Sequence, residues 1–306
     1  MSAPQLSIVV PVYNGIRYLQ DTLDSLIQLE HAVYCELIFQ NCQSTDGTTA
    51  VLDAFCRGHE NRFHCNEQDS GQSDAINKGT GKAQGNWVTW LCADDVILPA
   101  VGQALRAGDI AGADVVYGDI IFVEGSAVYP AIGTESHSPG ALSRRRLIIQ
   151  QPGTCIRRKV WQDAGGVDVQ LNWSMDYDLF LRLESKNKRF LRVDSFLAVI
   201  RVHPDAKTSS GSIRRVFELW AVLKNSHLRR PGYFSLRPYA VYGMEYLIKA
   251  IESKPRLRSF FPVRILLRGL HNFFWRVAGP MEQVLIQDRF ARLPQTIVDL
   301  TGKLAG

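Results

Sequence analysis

The stretch Ser7-Ile8-Val9-Val10-Pro11-Val12-Tyr13-Asn14-Gly15 decides the fold. After Ser7 come five apolar residues, four of them β-branched, as in a buried strand, and Tyr13-Asn14-Gly15 is a turn signal that ends it. Downstream, Leu19, Leu23, Leu26 and Ile27 fall at i, i+4, i+7 and i+8, which is one helical face. Glu36-Leu37-Ile38-Phe39 reads as the second strand and runs into a polar loop, Asn41 to Gly47. Thr48 to Phe55 restarts a helix on Val51, Leu52 and Phe55, and another helix covers roughly Ser73 to Lys82. Trp87-Val88-Thr89-Trp90-Leu91 is a strand that ends at Cys92-Ala93-Asp94-Asp95, and Val115 to Asp119 is a further short one. This β-α-β-α-β alternation predicts an α/β fold with a mostly parallel, Rossmann-like sheet and helices on both faces.

In such sheets ligands bind outside the C-terminal strand ends. Three polar loops, 13–15, 41–47 and 93–95, converge there. The first strand-to-helix turn lacks G-x-G-x-x-G, and G-x-x-x-x-G-K-[ST] is absent from the chain, so hydride transfer and P-loop chemistry lose their main support. After a loop, a helix is expected within 161–185, then a strand over 190–200, and a helical, basic pattern from about 211.

The chain has 306 residues, 46% of them hydrophobic and 21% charged, which suits a folded domain with a helical appendage. It contains no run of about 18 uncharged apolar residues, so no membrane-spanning helix is expected. The start, Met1-Ser2-Ala3-Pro4-Gln5, lacks the basic flank of a signal peptide, and the expectation is a cytoplasmic protein. Six cysteines without a C-x-x-C pair read as reduced thiols. The net charge of +5 divides into −6 over residues 1–200 and +11 over 201–306. The division suggests two jobs for the two parts.

Asp94-Asp95 at a strand end places two like charges side by side, which costs stability unless a cation or hydrogen-bond donors offset it. Mg²⁺ commonly takes one or two carboxylates plus substrate phosphates. The competing reading is a helix cap ahead of Val96-Ile97-Leu98-Pro99. Further on, Ser174 can cap a helix beginning at Met175. Asp176 and Asp178, two apart, then point to different faces, so that one can face a pocket.

Several blocks together resemble the family 2 glycosyltransferases of the GT-A fold, in particular a bacterial surface-polysaccharide type. They are Ser7–Gly15; Ser44-Thr45-Asp46-Gly47-Thr48; Ser70–Gly79; Trp90–Asp95, where the family has its D-x-D-type motif; Met175–Arg182, similar to its late acidic motif; and Arg201-Val202-His203 with Lys207-Thr208-Ser209. They occur in the family's order across roughly residues 5–210. The resemblance implies that Pro11 and Tyr13 pack the uracil and ribose, that Asn41 stands where an Asp usually reads the base, and that Gly71 to Asp74 approach the ribose and diphosphate. It further implies Asp94 near the ribose or metal, Asp95 as direct ligand of Mn²⁺ or Mg²⁺, His203 as an added ligand or diphosphate contact, and Asp176 as catalytic base. Asn41 departs from the pattern and leaves thymidine diphosphate sugars open beside UDP sugars. Cys42-Gln43 and Met175 also depart from it.

The sequence therefore predicts a GT-A domain over 1–210 and a helical, basic and aromatic region over 211–306. The expected activity is inverting transfer from a nucleotide diphosphate sugar to a glycan or lipid-linked acceptor. Arginines and lysines interleaved with aromatics in 211–306 suit an anionic membrane surface at the inner face of the plasma membrane. They equally suit a helical subdomain or oligomer interface. No nucleic-acid-binding motif is present. A catalytically inactive nucleotide-sugar-binding scaffold is the alternative, and Asn41 is the one feature that leans toward it.

Overall fold

A computed structural model describes residues 3–130, 136–144, 149–207, 213–229, 235–236, 239–240, 243, 246–247 and 290–305. In the N-terminal half, strands β1 (Leu6–Val12), β2 (Cys35–Asn41), β3 (Arg62–Asn66) and β4 (Trp87–Trp90) alternate with helices α1 (Ile16–Glu30), α2 (Thr48–Cys56) and α3 (Gln72–Lys82). There follow β5 (Val96–Ile97), α4 (Val101–Ala111), β6 (Val115–Glu124), β7 (Ala127–Pro130), α5 (Ala141–Arg144) and β8 (Thr154–Arg157). The remaining elements are α6 (Arg158–Ala164), α7 (Met175–Ser185), β9 (Phe190–Val202), α8 (Ile213–Arg229) and, as the last described helix, α9 (Gln295–Ala305).

Among the described residues these strands form one nine-stranded sheet in the order β3-β2-β1-β4-β8-β6-β9-β5, with β7 hairpinned onto β6. The β3-β2-β1-β4 half is parallel, as the alternation predicts. β8 joins both β4 and β6 antiparallel, while β6 and β9 run parallel. The parallel half is thus continued by a mixed half.

The period-two alternation of a strand divides β1 between two cores. Leu6, Ile8, Val10 and Val12 pack with Leu19, Leu23 and Leu26 of α1. Val9 faces the other way, with Ile76 of α3 and Tyr177 and Phe180 of α7. Gly79 lets α3 seat on β1: a Cβ there would stand 2.4 Å from Val9 Cγ1.

The described parts of 211–306 pack on the sheet domain. Leu219, Val222 and Leu223 of α8 enter the core that holds Tyr177 and Phe180. Ile297, Leu300 and Leu304 of α9 lie against Ile121, Phe196 and Val199, and Lys303 pairs with Asp21 at 3.0 Å. Most of the basic and aromatic residues between 230 and 289, on which the expected membrane contact rests, lie outside the described residues. Among the described residues no helix is long and apolar enough to cross a membrane.

Candidate active site

A cleft of about 1600 Å³ opens where the sheet rule places it, at the C-terminal ends of β1, β2 and β4. Its opposite wall comes from the start of α7, the end of β9 and one face of α8. Pro11, Tyr13, Gly71, Asp94, Asp95, Asp176 and His203, seven of the nine sequence-predicted site residues, line it together. Asn41 and Asp74 do not.

Two loops are clasped to make one rim of the cleft. The backbone N–H of Asn14 donates to Ser44 Oγ at 2.8 Å, and that of Thr45 donates to Asn14 Oδ1 at 2.9 Å. Asp46 Oδ2 accepts from the N–H of Ile16, the first residue of α1, at 3.0 Å. A carboxylate at the positive end of a helix is favoured there. Tyr13 stands 69% exposed at the mouth, which leaves its ring available for stacking.

Asn41 is fully buried at the end of β2. Its Nδ2 lies 3.0 Å from Thr49 Oγ1 and 3.2 Å from both Asn66 Oδ1 and His64 Nε2, and its Oδ1 accepts from Ser44 Oγ at 2.6 Å. Because Ser44 in turn holds Asn14, Asn41 fixes the loops from behind. Cys42 and Asp69 line the wall beside it. Asn41→Ala would strand several buried polar groups, so a stability loss of roughly 2–4 kcal/mol is expected. Urea denaturation measures it, and a loss under about 0.5 kcal/mol would contradict this role. Asp74 likewise works behind the wall: it accepts from the Ser70 N–H at 2.9 Å and pairs with Lys78 at 3.2 Å. That contact orders the turn leading into Gly71, whose φ of +123° favours glycine.

Asp94 and Asp95 are fixed from both sides. His203 Nε2 lies 2.9 Å from Asp94 Oδ2, with the Tyr18 ring 4.5 Å from the imidazole. Asp95 Oδ1 accepts from the Arg201 N–H at 3.2 Å, and its carbonyl accepts from Thr22 Oγ1 at 2.7 Å. Burial, then the neighbouring charge of Asp94, push the Asp95 carboxyl well above the usual carboxylate range. One ligand atom each from Cys92, Asp94 and Asp95 lies within 4.8 Å of the others. Two hard oxygen donors in this mutual repulsion fit a divalent cation. The Cys92 thiol lies beside them, but burial and the two neighbouring carboxylates push its pKa well up and keep it protonated, so it is a neighbour of the site and no ligand for a hard cation. His203 meets Asp94 as a hydrogen-bond partner and stands outside that three-residue group.

Across the cleft, α7 opens with Asp176 in its first turn. Asp176 Oδ1 accepts from the Tyr177 N–H at 2.7 Å. Burial pushes its carboxyl up to about 6, against the opposing effects of that N–H and of Arg215. Asp178 points away, pairing with Arg182 at 2.6 Å. The divergence of the two carboxylates follows from their two-residue spacing on a helix.

The expected Ser174 side-chain cap is not made. Ser174 Oγ donates instead to Glu218 Oε1 of α8 at 2.6 Å, and the same carboxylate accepts the N–H groups of Asn172, Trp173 and Ser174 at 3.0, 2.7 and 2.7 Å. Lys207 is also drawn in: its Nζ lies 3.0 Å from Gln72 Oε1, whose amide nitrogen is 3.2 Å from Cys92 Sγ. Burial lowers the pKa of this lysine. In the sequence Lys207 stands out only as part of a closing segment. Nothing there signals Glu218, which lies 44 residues beyond Ser174.

Residues 7–158 match the family model described as glycosyl transferase family 2. A PGL/p-HBAD biosynthesis glycosyltransferase of Mycobacterium bovis is 34% identical over 125 residues, 40% of this chain and 48% of the relative. TuaG of Bacillus subtilis, a glycosyltransferase named for teichuronic acid biosynthesis, is 36% identical over 94 residues, 30% of this chain and 36% of the relative. The chain thus spans about half the length, or less, of these relatives. Among solved structures, S. aureus TarS 1-349 in complex with UDP-GlcNAc superposes with a TM-score of 0.62 at 16% identity, covering 98% of this chain and 90% of that one. That similarity shows the GT-A fold.

Proposed function

Because this chain belongs to glycosyl transferase family 2, we propose that it moves a sugar from a nucleoside diphosphate donor, UDP-linked, to a glycan or lipid-linked acceptor in cell-surface polysaccharide synthesis, with inversion at the anomeric carbon. The observation that carries this reading is the placement of Asp94-Asp95 and Asp176 on opposite walls of one cleft.

The division of labour follows from the two environments. Tyr13, Pro11 and Gly71 form the rim on which a nucleoside lies. Asp94 and Asp95 would hold a divalent cation through their carboxylate oxygens. When bound, such a cation supplies Lewis-acid neutralisation of the charge that develops on a departing diphosphate. Asp176 takes the proton of the acceptor hydroxyl as that oxygen bonds to the anomeric carbon, and the bond to the diphosphate oxygen breaks with its electron pair. A carboxyl titrating near 6 is a stronger base than an ordinary aspartate and is still ionised at neutral pH.

The M. bovis and B. subtilis relatives carry names tied to PGL/p-HBAD and teichuronic acid biosynthesis, and TarS was solved with UDP-GlcNAc. The first two names support a glycan or lipid-linked acceptor, and the third supports a UDP-sugar donor. Asn41, the residue that leans toward a non-catalytic scaffold, lies off the cleft wall, so its substitution for Asp is no argument against chemistry.

The basic, aromatic composition of 211–306 supports docking on an anionic membrane at its inner face, where a lipid-linked acceptor would lie. Co-sedimentation with phosphatidylglycerol vesicles that is reversed by salt is the expected result, and its absence would remove the membrane from the mechanism. The test of the chemistry is the pH dependence of donor turnover. The base acts as carboxylate, so the rate should fall about tenfold per pH unit below about 6. A flat profile between pH 5 and about 8 would remove Asp176 from the mechanism.

A further inference from the structure

We propose that Glu218 of α8 is the positioning residue of the site: its carboxylate grips the chain at Asn172, Trp173 and Ser174 and so aims Asp176 into the cleft, a role that rests on the reading of Asp176 as the base.

The four hydrogen bonds to Glu218 all come from the three residues that lead into α7, at 2.6 to 3.0 Å. Oε1 alone takes three of them, including both the N–H and the hydroxyl of Ser174. Asp176 follows Ser174 by two residues, within the first turn. The orientation of that turn is therefore set by a side chain from another helix, one whose own Leu219, Val222 and Leu223 are anchored in the core. Arg215 and Val216 of the same helix line the cleft. A shift of α8 would carry the entrance of α7 with it.

Glu218 is not itself the base. Burial works to raise its carboxyl, but the hydrogen bonds from Ser174, Asn172 and Trp173 more than offset this and hold it below the usual range. A carboxylate with its oxygens so engaged is a poor proton acceptor. The charged groups facing Asp176 are Arg215 and Glu218 of α8 and Lys207 after β9, while Asp178 is turned to Arg182. Of these, Glu218 is the one that adds negative charge and favours the protonated form of Asp176.

Two substitutions separate grip from charge. Glu218→Gln keeps one acceptor oxygen and removes the charge; Glu218→Ala removes both. Asp176 is followed by carbon-detected NMR titration of aspartate-labelled protein, its signal assigned by its absence in Asp176→Asn. In Glu218→Gln its midpoint should move down by on the order of half a pH unit. In Glu218→Ala the amides of 172–174 should lose hydrogen-exchange protection. In Glu218→Ala kcat should fall by about tenfold to a hundredfold, with the donor KM within about twofold, whereas Glu218→Gln, which keeps the acceptor oxygen, should retain kcat to within about threefold. If Glu218→Ala does not fold, the Glu218→Gln titration decides alone. An unmoved or raised Asp176 midpoint in Glu218→Gln overturns the proposal. An active Asp176→Asn enzyme with the midpoint shift intact would instead remove the base reading and leave the coupling of Glu218 to Asp176 standing.

Discussion

Asp176→Asn is expected to cut sugar transfer by about a hundredfold to ten-thousandfold, the range of a lost general base, while nucleotide-sugar affinity stays within about twofold. Asparagine preserves the shape and can still accept the Tyr177 N–H, so the loss would report basicity. Stability should move the opposite way. The Asp176 carboxyl titrates near 6 in the folded chain against an ordinary 3.8, so the folded state binds more protons than the unfolded state between those values. The stability it contributes is complete below about 3.8 and is lost as pH rises through about 6, a swing of roughly 2–3 kcal/mol before discounting for the partly exposed carboxylate. Asp176→Asn has no such swing. At pH 7.5 it should therefore melt no lower than the parent protein, and urea titrations at pH 4.5 and 7.5 would give the difference. A variant that is both inactive and clearly less stable at pH 7.5 would point to a structural aspartate.

Asp95→Ala carries the second large effect. Asp95 is only 6% exposed, and its main electrostatic neighbours are Asp94 and the backbone N–H of Arg201. Without a cation, its removal relieves repulsion and a poorly compensated buried charge, so the melting temperature should hold or rise. With Mn²⁺ or Mg²⁺ present, cation-dependent donor affinity should drop on the order of a hundredfold. Calorimetry of donor binding, with and without chelator, reads both halves. If Asp95→Ala binds donor as the parent does, and the chelator affects neither, Asp95 is no metal ligand.

Much of this is legible in the sequence because local residues determine where strands end. A β-branched run followed by Tyr13-Asn14-Gly15 marks β1 and its rim. Trp87 to Leu91 followed by two carboxylates places Asp94-Asp95 on the same edge, and the two-residue spacing of Asp176 and Asp178 separates a cleft-facing carboxylate from one paired with Arg182. Illegible are the features decided by distant partners. Asn41, expected to open the loop after the second strand, is the last residue of β2, and the direction of its side chain depends on His64 and Asn66 of β3, a five-residue strand too mixed in polarity to announce itself. Ser174 has the residue type of a helix cap, but Glu218 captures its hydroxyl, and no spacing rule links 174 to 218. The change of charge after residue 200 says nothing of packing, which follows apolar faces: α8, beyond it, carries Leu219 and Leu223 into the core that holds Tyr177. Cys92 reads as one more buried thiol until the turn after β4 brings its sulfur beside both carboxylates.

Binding of a nucleoside diphosphate sugar through a divalent cation at the Asp94-Asp95 cleft is the central claim. A thermal-shift screen of UDP-, dTDP- and GDP-sugars with Mn²⁺, Mg²⁺ or chelator tests it most directly, since a ligand that binds only the folded state stabilises it according to its concentration over its affinity. The expected result is a melting-temperature rise with UDP-sugars that requires the cation, vanishes with chelator and is absent in Asp95→Ala. No rise with any donor, or a rise indifferent to the cation, would contradict it.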